Sequence, residues 1–195
     1  MPFRIAFVPG VTPDKWSRIW QQRERGTPLE LLPVEETDQI SVLHEHVADM
    51  SFVRLPVERE GLHLIPLYRE VPVVVVPVDH VVTAFDEVSA ADLADEHRLV
   101  DPSITTRQAV ETVAAGTGIV IVPMSIARLH HRKDVTYRPV TDLPESQIAL
   151  AWLTGPEDPR IEAFIGIVRG RTERSSRTGS PAVPEKPAGR RRRGR

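Results

Sequence analysis

Strand-like and helix-like segments alternate over residues 3–54, and this order constrains the fold more than any other feature of the sequence. Three apolar segments with strand character are separated by two segments with helical spacing. The strand candidates are residues 3–8, 29–34 and 52–54. Strands joined through helices run parallel, with right-handed crossovers and with the helices covering the sheet. The first part of the chain is therefore predicted to be a β-α-β-α-β unit.

Both helices of this unit are predicted from the spacing of their apolar residues. In the first helix, Trp16, Ile19 and Trp20 form one apolar stripe at the i, i+3, i+4 spacing. Thr12 is the expected N-cap, and the proline that follows it suits the first helical position. The second helix has apolar residues at positions 40, 43 and 47 and is expected over residues 37–48.

A run of four valines at residues 73–76 predicts a strand that is buried on both faces, because it is too apolar for a strand with one wet face. It lies inside a longer apolar segment, residues 62–78. Further strands are predicted at residues 98–100, 119–122, 135–140 and 148–153. Further helices are predicted after a capping box at 89–92, after the turn at 101–106, over 125–131, and after Asp158 as N-cap.

Composition excludes several classes of protein. The 195 residues are 41% hydrophobic and 27% charged, which is ordinary globular composition. The sequence has no cysteine, so disulfide scaffolds, thiol nucleophiles and cysteine-based zinc sites are excluded. The longest strongly apolar stretch, residues 71–78, is far shorter than the roughly 20 residues that span a bilayer. No secretory leader is recognisable at the N-terminus, so we expect a cytoplasmic protein.

Positive charge is concentrated at the C-terminus. Residues 175–195 contain seven basic residues and one acid, which leaves the rest of the chain with a net charge of −8. We expect residues 173–195 to form a disordered basic tail, because they contain too few apolar residues to bury a core. The arginines at positions 190–193 could make non-specific, salt-sensitive contacts with nucleic acid. The alternative is a tail that only improves solubility.

Several segments match a known family in their order and spacing, although none of them is a sharp motif. They are residues 4–10 (RIAFVPG), 52–56 (FVRLP), 66–70 (PLYRE), 73–77 (VVVVP), 92–95 (DLAD), 113–123 (VAAGTGIVIVP) and 149–152 (ALAW). Together they resemble the effector-binding domain of LysR-type transcriptional regulators, which has the type 2 periplasmic-binding-protein fold. The resemblance covers about residues 3–177.

The resemblance implies an α/β fold of two lobes joined by two crossover strands. The first lobe would comprise residues 1–71 and 146–172, and the second residues 72–145. It also implies a homodimer in which the helices that begin near Thr12 and Thr105 pack against those of the partner. Members of the family carry a winged helix-turn-helix ahead of the first strand. Because that strand begins here at residue 3, we expect the DNA-reading module to be absent and any regulation to involve a full-length relative.

Two helix N-termini are candidate contacts for a ligand. One is at Thr12, and the other is formed by Ser103, Ile104, Thr105 and Thr106. Each follows a strand of a different lobe, so the two are expected to face each other across a cleft. Free N–H groups, hydroxyls and the positive end of the helix dipole favour an anion there. The alternative is that these hydroxyls are simple N-caps.

Arg54, at the carboxyl end of the third strand, is a further candidate ligand contact. Its planar guanidinium could bind an effector carboxylate through two parallel hydrogen bonds. A surface salt bridge with Glu58 or Glu60 is the alternative reading. The glycines of the turn at residues 116–118 allow close approach of a ligand, but a helix C-cap is the favoured interpretation.

No chemistry of catalysis or metal binding is predicted. The histidine pairs at positions 44 and 46 and at 130 and 131 are poorly spaced to share one ion. The sequence has no nucleophile elbow, phosphate-binding glycine loop or HExxH pattern. We therefore predict a cofactor-free sensor that binds a small anionic metabolite between its lobes and takes part in transcriptional regulation. The alternative is an enzyme of the same fold acting on a small anionic substrate.

Overall fold

The computed structural model describes residues 1–101 and 103–170. The strands of this part are β1 (Phe3–Phe7), β2 (Leu29–Pro33), β3 (Met50–Leu55), β4 (Leu62–Glu70), β5 (Pro72–Pro77), β6 (Val120–Pro123), β7 (Val135–Pro139) and β8 (Ser146–Leu153). Its α-helices are α1 (Asp14–Arg23), α2 (Ser41–His44), α3 (Thr106–Ala114), α4 (Met124–Leu129) and α5 (Pro159–Val168). The predicted basic tail, residues 173–195, lies outside the described residues. None of the described helices is long and apolar enough to cross a membrane.

The strands form two separate sheets. The first has the order β2-β1-β3-β8-β4, and the second has the order β6-β5-β7. β1 pairs in parallel with both β2 and β3, as predicted for the β-α-β-α-β unit. β8 is antiparallel to β3 and β4, and the second sheet is antiparallel throughout. The structure is therefore an α/β fold with one mixed and one antiparallel sheet.

The valine run forms β5, the central strand of the second sheet, and all four valines are buried as predicted. Val73 and Val75 pack with α3 residues on one face of the sheet. Val74 and Val76 pack on the other face with Leu93. Because successive side chains of a strand point to opposite faces, a strand covered on both sides needs a continuous apolar run.

Aromatic side chains of α1 and α5 cover one face of the first sheet. The rings of Trp20 and Phe3 stack with centroids 4.9 Å apart, and those of Trp16 and Phe52 are also 4.9 Å apart. Phe164 of α5 meets Phe3 and Phe52 edge to face. Such pairs stabilise a core beyond their buried area, by about 0.5–1.5 kcal/mol each. The tryptophan stripe thus packs on the sheet as its spacing predicts.

The prediction of one continuous helix over residues 37–48 is wrong. This segment holds a 3-10 helix, Glu36–Asp38, and the four-residue α2. The chain leaves the helical path after α2, where His46 has a φ of 55° and the N–H groups of Val47 and Ala48 donate to the carbonyl of Val42. Val47, one of the three residues that defined the helical pattern, is exposed. Apolar spacing over so short a segment does not distinguish a helix from a series of turns, in which not every residue of the pattern is buried.

Other predicted boundaries also differ from the structure. α1 begins at Asp14 with Pro13 as its N-cap, so Thr12 lies outside the helix. The segment at 62–78 is two strands in different sheets, and the strand expected at 98–100 is a single bridge between Arg98 and Ile119. The helix predicted over 125–131 is α4, and the Asp158 cap of α5 is confirmed by its hydrogen bond from the backbone of Arg160 (2.9 Å).

Ser51 is a polar residue inside the first sheet. It is fully buried, its neighbours across the sheet are Ala6 and Ala151, and its hydroxyl has no hydrogen-bond partner among the described residues. A buried, unsatisfied hydroxyl costs about 1–3 kcal/mol. We predict that Ser51→Ala raises the free energy of unfolding by about 1 kcal/mol in urea titrations.

The matched control for this prediction is Ser41→Ala, because the Ser41 hydroxyl donates to the carbonyl of Asp38 (3.1 Å). This substitution is expected to lower the free energy of unfolding by about 0.5–1 kcal/mol. A loss of stability in Ser51→Ala would contradict the assignment of an unsatisfied hydroxyl.

Candidate ligand site at the junction of the two sheets

The chain passes between the two sheets twice, and both passages meet at one place. β4 of the first sheet ends at Glu70, and β5 of the second sheet begins two residues later. The return passage, residues 140–145, leads to Ser146 at the start of β8. Glu70 and Ser146 are paired in the β4–β8 ladder. We call this place the junction, defined by Arg54, Glu70, Ser125 and Ser146.

Arg54 extends its guanidinium into the junction, where its side chain is 5% exposed. Its Nε donates to Glu70 Oε2 (2.8 Å), and its Nη2 donates to the carbonyl of Pro9 (2.9 Å). Its Nη1 donates to the carboxylate of Glu36. One guanidinium therefore joins the end of β4, the loop after β1 and the 3-10 helix that follows β2.

The ion pairs of Arg54 differ from those expected on sequence. Glu36 and Glu70 are its partners, so the alternative of a surface salt bridge with Glu58 or Glu60 is wrong. The reason is that Arg54 is buried at the junction rather than placed on the surface near those residues.

Gln39 fixes the backbone of Arg54. The Arg54 N–H donates to Gln39 Oε1 (2.8 Å), and Gln39 Nε2 donates to the Arg54 carbonyl (3.3 Å). Gln39 itself is buried. This pair of hydrogen bonds holds the end of β3 in place where it has no strand partner on that side, so the guanidinium starts from a fixed backbone.

The Glu70 carboxylate accepts hydrogen bonds from elements of both sheets. Besides the Arg54 bond, Oε2 accepts from the Ser146 hydroxyl (3.2 Å), and Oε1 accepts from the hydroxyl of Ser125 at the start of α4. α4 packs on β5 and β6 of the second sheet. A buried carboxylate is tolerated when its oxygens are satisfied in this way.

The loop after β1 contacts α4 at Gly10. This residue has a φ of 87°, and a Cβ there would lie 2.9 Å from Ser125 Cβ and 3.2 Å from Ile126 Cδ1. Glycine is therefore required both by the backbone conformation and by the close approach of α4. The contact joins the carboxyl end of β1 to the second sheet's helix.

A cavity of about 770 Å³ reaches the junction at Pro9, whose carbonyl accepts from Arg54. Among the described residues, Leu129 of α4 is its one lining residue from the second sheet's side, and the other lining residues lie between positions 7 and 45. Apolar groups of the β1 and β2 ends, α2 and α4 line it, and three acidic side chains stand among them. The apolar residues are Phe7, Pro9, Val11, Pro33, Val34, Val42 and Leu129, and the acids are Glu35, Asp38 and Glu45. We call these three acids the acidic rim.

Two titratable groups near the junction and the cavity have shifted pKa values. Partial burial and the nearby Glu70 carboxylate raise the pKa of Tyr68 to about 12, against the opposing effect of Arg54. The Tyr68 phenol is therefore a hydrogen-bond donor at neutral pH. Burial, followed by the charge of Arg107, lowers the pKa of His130, while Glu111 and Glu35 raise it. His130 thus adds no positive charge near Glu35 at neutral pH.

The predicted site at the N-terminus of α3 is occupied by local hydrogen bonds. Thr105 and Gln108 form a capping box, with Gln108 N–H donating to Thr105 Oγ1 (3.3 Å) and Thr105 N–H donating to Gln108 Oε1 (2.8 Å). The hydroxyl of Ser103 donates to Asp101 (2.6 Å), and its hydrogen bonds lower the pKa of that carboxyl. Ile104 packs against the core of the second sheet.

Thr12 and Thr106 are exposed. Thr12 follows Val11, which lines the cavity, and the same loop reaches Arg54 through Pro9. The structure therefore brings the Thr12 loop and Arg54 together. Contact of Thr12, Arg54 or residues 103–106 with a ligand stays a prediction.

The turn at residues 116–118 is a helix C-cap, as favoured by the sequence. Gly116 has a φ of 80° after the last residue of α3, and Thr117 N–H donates to the carbonyl of Thr112 (3.2 Å). Among the described residues, no group of three or more His, Cys, Asp or Glu side chains is placed to hold a metal ion.

Comparisons with known proteins identify the family. The family model "LysR substrate binding domain" matches residues 2–113 and 105–173. The Hca operon transcriptional activator HcaR of Escherichia coli is 24% identical over 198 residues, which cover 86% of this chain and 67% of that protein. The effector binding domain of BenM, solved with its effector benzoate, superposes with a TM-score of 0.74 at 22% identity and covers 95% of this chain and 98% of its own.

A regulatory domain of OxyR from Pseudomonas aeruginosa, solved as a mutant, gives a TM-score of 0.71 at 21% identity over 87% of this chain and 96% of its own. The chain belongs to the LysR substrate binding domain family, whose members are ligand-sensing domains of transcriptional regulators. Its two sheets confirm the predicted type 2 periplasmic-binding-protein-like fold.

Most residues around Arg54 were not predicted from the sequence as site residues. They are Glu36, Gln39, Tyr68, Glu70, Ser125 and Ser146. The sequence gives one indication for Glu70, because this acid stands directly before a strand that is apolar on both faces. A charge next to such a strand is either at the surface or paired inside. Glu36 lies in a run of surface acids and is not distinguished from them by its spacing.

The contact of Gly10 with α4 leads to a prediction. Gly10→Ala should lower the free energy of unfolding more than Gly116→Ala, because both positions have a positive φ but a Cβ at residue 116 meets nothing within 4 Å. The left-handed backbone alone costs about 1–2 kcal/mol. Overlap with α4 should add about 1–3 kcal/mol at residue 10. Equal losses in urea titrations would contradict the close contact.

Proposed function

We propose that this chain is a ligand-sensing domain that binds a small monocarboxylate with an apolar body beside the junction, and that it takes part in transcriptional regulation. One observation carries the proposal: a buried, fixed guanidinium, that of Arg54, has one of its nitrogens on a half-exposed carboxylate. The side chain of that carboxylate, Glu36, is 48% exposed.

The guanidinium of Arg54 suits a carboxylate ligand. A guanidinium N–H gives a carboxylate a charge-assisted hydrogen bond, which is the stronger class of hydrogen bond. Its Nε and Nη2 are held by Glu70 and Pro9, so the remaining nitrogen, Nη1, keeps its position without Glu36. A ligand carboxylate would take the place of the Glu36 carboxylate on Nη1.

The cavity supports a ligand with one carboxylate and an apolar body. Most of its lining is apolar, which suits an aliphatic or aromatic group. The acidic rim disfavours a second negative charge on the ligand. Benzoate, the effector in the BenM structure, has this composition. Monocarboxylates are a narrower class of ligand than the small anionic metabolites predicted from the sequence, and they belong to that class.

The position of Glu70 supports a role in signalling. A ligand bound to Arg54 acts on a carboxylate that is bonded to Ser146 of β8 and Ser125 of α4, and therefore on both passages between the sheets. The proposal treats residues 1–71 with 146–172 and residues 72–145 as the two lobes that close on the ligand. Self-association through α1 and α3, and DNA reading by a full-length relative, stay predictions from the family resemblance.

The test is a thermal-shift titration with a panel of monocarboxylates led by benzoate, with benzamide and benzylamine as matched neutral and cationic probes. Benzoate or another monocarboxylate should raise the melting temperature, since a ligand at 100 times its Kd adds about 2.7 kcal/mol of stability. Benzamide and benzylamine should add much less. The ligand-induced shift should be lost in Arg54→Met and kept in Arg69→Met, which alters an exposed arginine.

Two results would contradict the proposal. One is that no monocarboxylate raises the melting temperature. The other is a larger shift with benzylamine than with any carboxylate, which would assign binding to the acidic rim and a cationic ligand instead.

A further inference from the structure

We propose that Glu36 is a built-in competitor for the ligand: its carboxylate occupies Nη1 of Arg54 in the empty domain and must leave for a ligand carboxylate to bind. The inference rests on the proposed function, because it concerns the same guanidinium. It assigns to Glu36 the role of setting ligand affinity, which no feature of its sequence context indicates.

The two carboxylates on Arg54 are unequal. Glu70 has a side-chain exposure of 4% and accepts further hydrogen bonds from two serines, whereas Glu36 has 48% exposure and contacts only Arg54 among the described residues. Water can solvate the half-exposed Glu36 carboxylate once it leaves Arg54, which lowers the cost of breaking this ion pair on the Glu36 side. A buried carboxylate gains no such solvation. Glu36 is therefore the partner that exchanges, and Glu70 is the one that stays.

The backbone around Glu36 also favours its departure. Glu36 begins a three-residue 3-10 helix whose N-cap, Glu35, makes no side-chain capping bond. A helix of this length contributes little stability of its own. Glu36 also stands beside Glu35 and near Asp38, which both belong to the acidic rim. Water screens the repulsion between these carboxylates once the Glu36 side chain is released.

Arg54, by contrast, keeps its place when Glu36 leaves. Gln39 holds its backbone on both sides, and Glu70 and Pro9 hold two of its nitrogens. Departure of Glu36 leaves Nη1 without a partner in a buried position, which is unfavourable until another acceptor arrives. Replacement of the Glu36 carboxylate on Nη1 therefore favours ligands that carry a carboxylate. Neutral ligands, which accept only a weaker hydrogen bond, bind less well.

The experiment uses acetate as the smallest carboxylate probe, at constant ionic strength set with sodium chloride, and follows the Arg54 Nε–H resonance by NMR. Glu36→Ala and the milder Glu36→Gln should bind acetate about threefold to tenfold more tightly than the unaltered protein, as expected for loss of a weak ion pair. Glu30→Ala is the matched control. It removes an exposed acid that neither pairs with Arg54 nor lines the cavity, and its affinity should change less than twofold.

The outcome that overturns the inference is equal acetate affinity, measured at the Arg54 resonance, in the unaltered protein and both Glu36 variants. An equal gain in Glu30→Ala would also overturn it, because the effect would then be general loss of negative charge. The proposed function fails separately: if acetate binds Arg54 more tightly in the Glu36 variants but no larger monocarboxylate binds the unaltered protein, only the ligand assignment is wrong. Urea titrations establish that each variant is folded.

Discussion

The ion pair between Arg54 and Glu70 is the interaction on which the arrangement of the two sheets depends. It lies where β4 gives way to β5 and where β8 begins, so every passage of the chain between the sheets is bonded to it. Burying two charges costs several kcal/mol for each ion, and the attraction between them offsets this only when their remaining polar atoms are satisfied. Here Pro9, Ser125 and Ser146 satisfy them.

We propose that function follows from the same constraint. Arg54 and Glu70 contact elements of both sheets, and Pro9, whose carbonyl accepts from Arg54, lines the neighbouring cavity. Membership of the LysR substrate binding domain family accounts for the architecture. The chemistry we propose for the ligand comes from this chain's own residues: one available guanidinium nitrogen, a mainly apolar wall and an acidic rim.

Local sequence signals predicted the elements but not the junction. The valine run, the tryptophan stripe and the Asp158 cap are each determined by neighbours in sequence or by burial on a known face, and the structure confirms them. The length of α2 was overestimated because Val47, which completed the apolar spacing, is exposed and lies in the turns beyond the helix. The partners of Arg54 lie 16 and 18 residues away, on elements whose contact depends on how the sheets pack. Periodicity carries no information on that packing, so the alternative weighed for Arg54 was a salt bridge with a glutamate close to it in sequence.

A double-mutant cycle on Arg54 and Glu70 tests the central claim most directly. Free energies of unfolding in urea would be compared for Arg54→Met, Glu70→Met and the double variant, with Arg69→Met as an exposed control beside Glu70. Arg54→Met leaves the buried Glu70 carboxylate without a cationic partner and should cost about 3–5 kcal/mol. Glu70→Met leaves Arg54 paired with Glu36 and should cost less, and the double variant should lose less than the sum of the two. Additive losses, or single losses no larger than that of the control, would contradict a buried pair that holds the junction together.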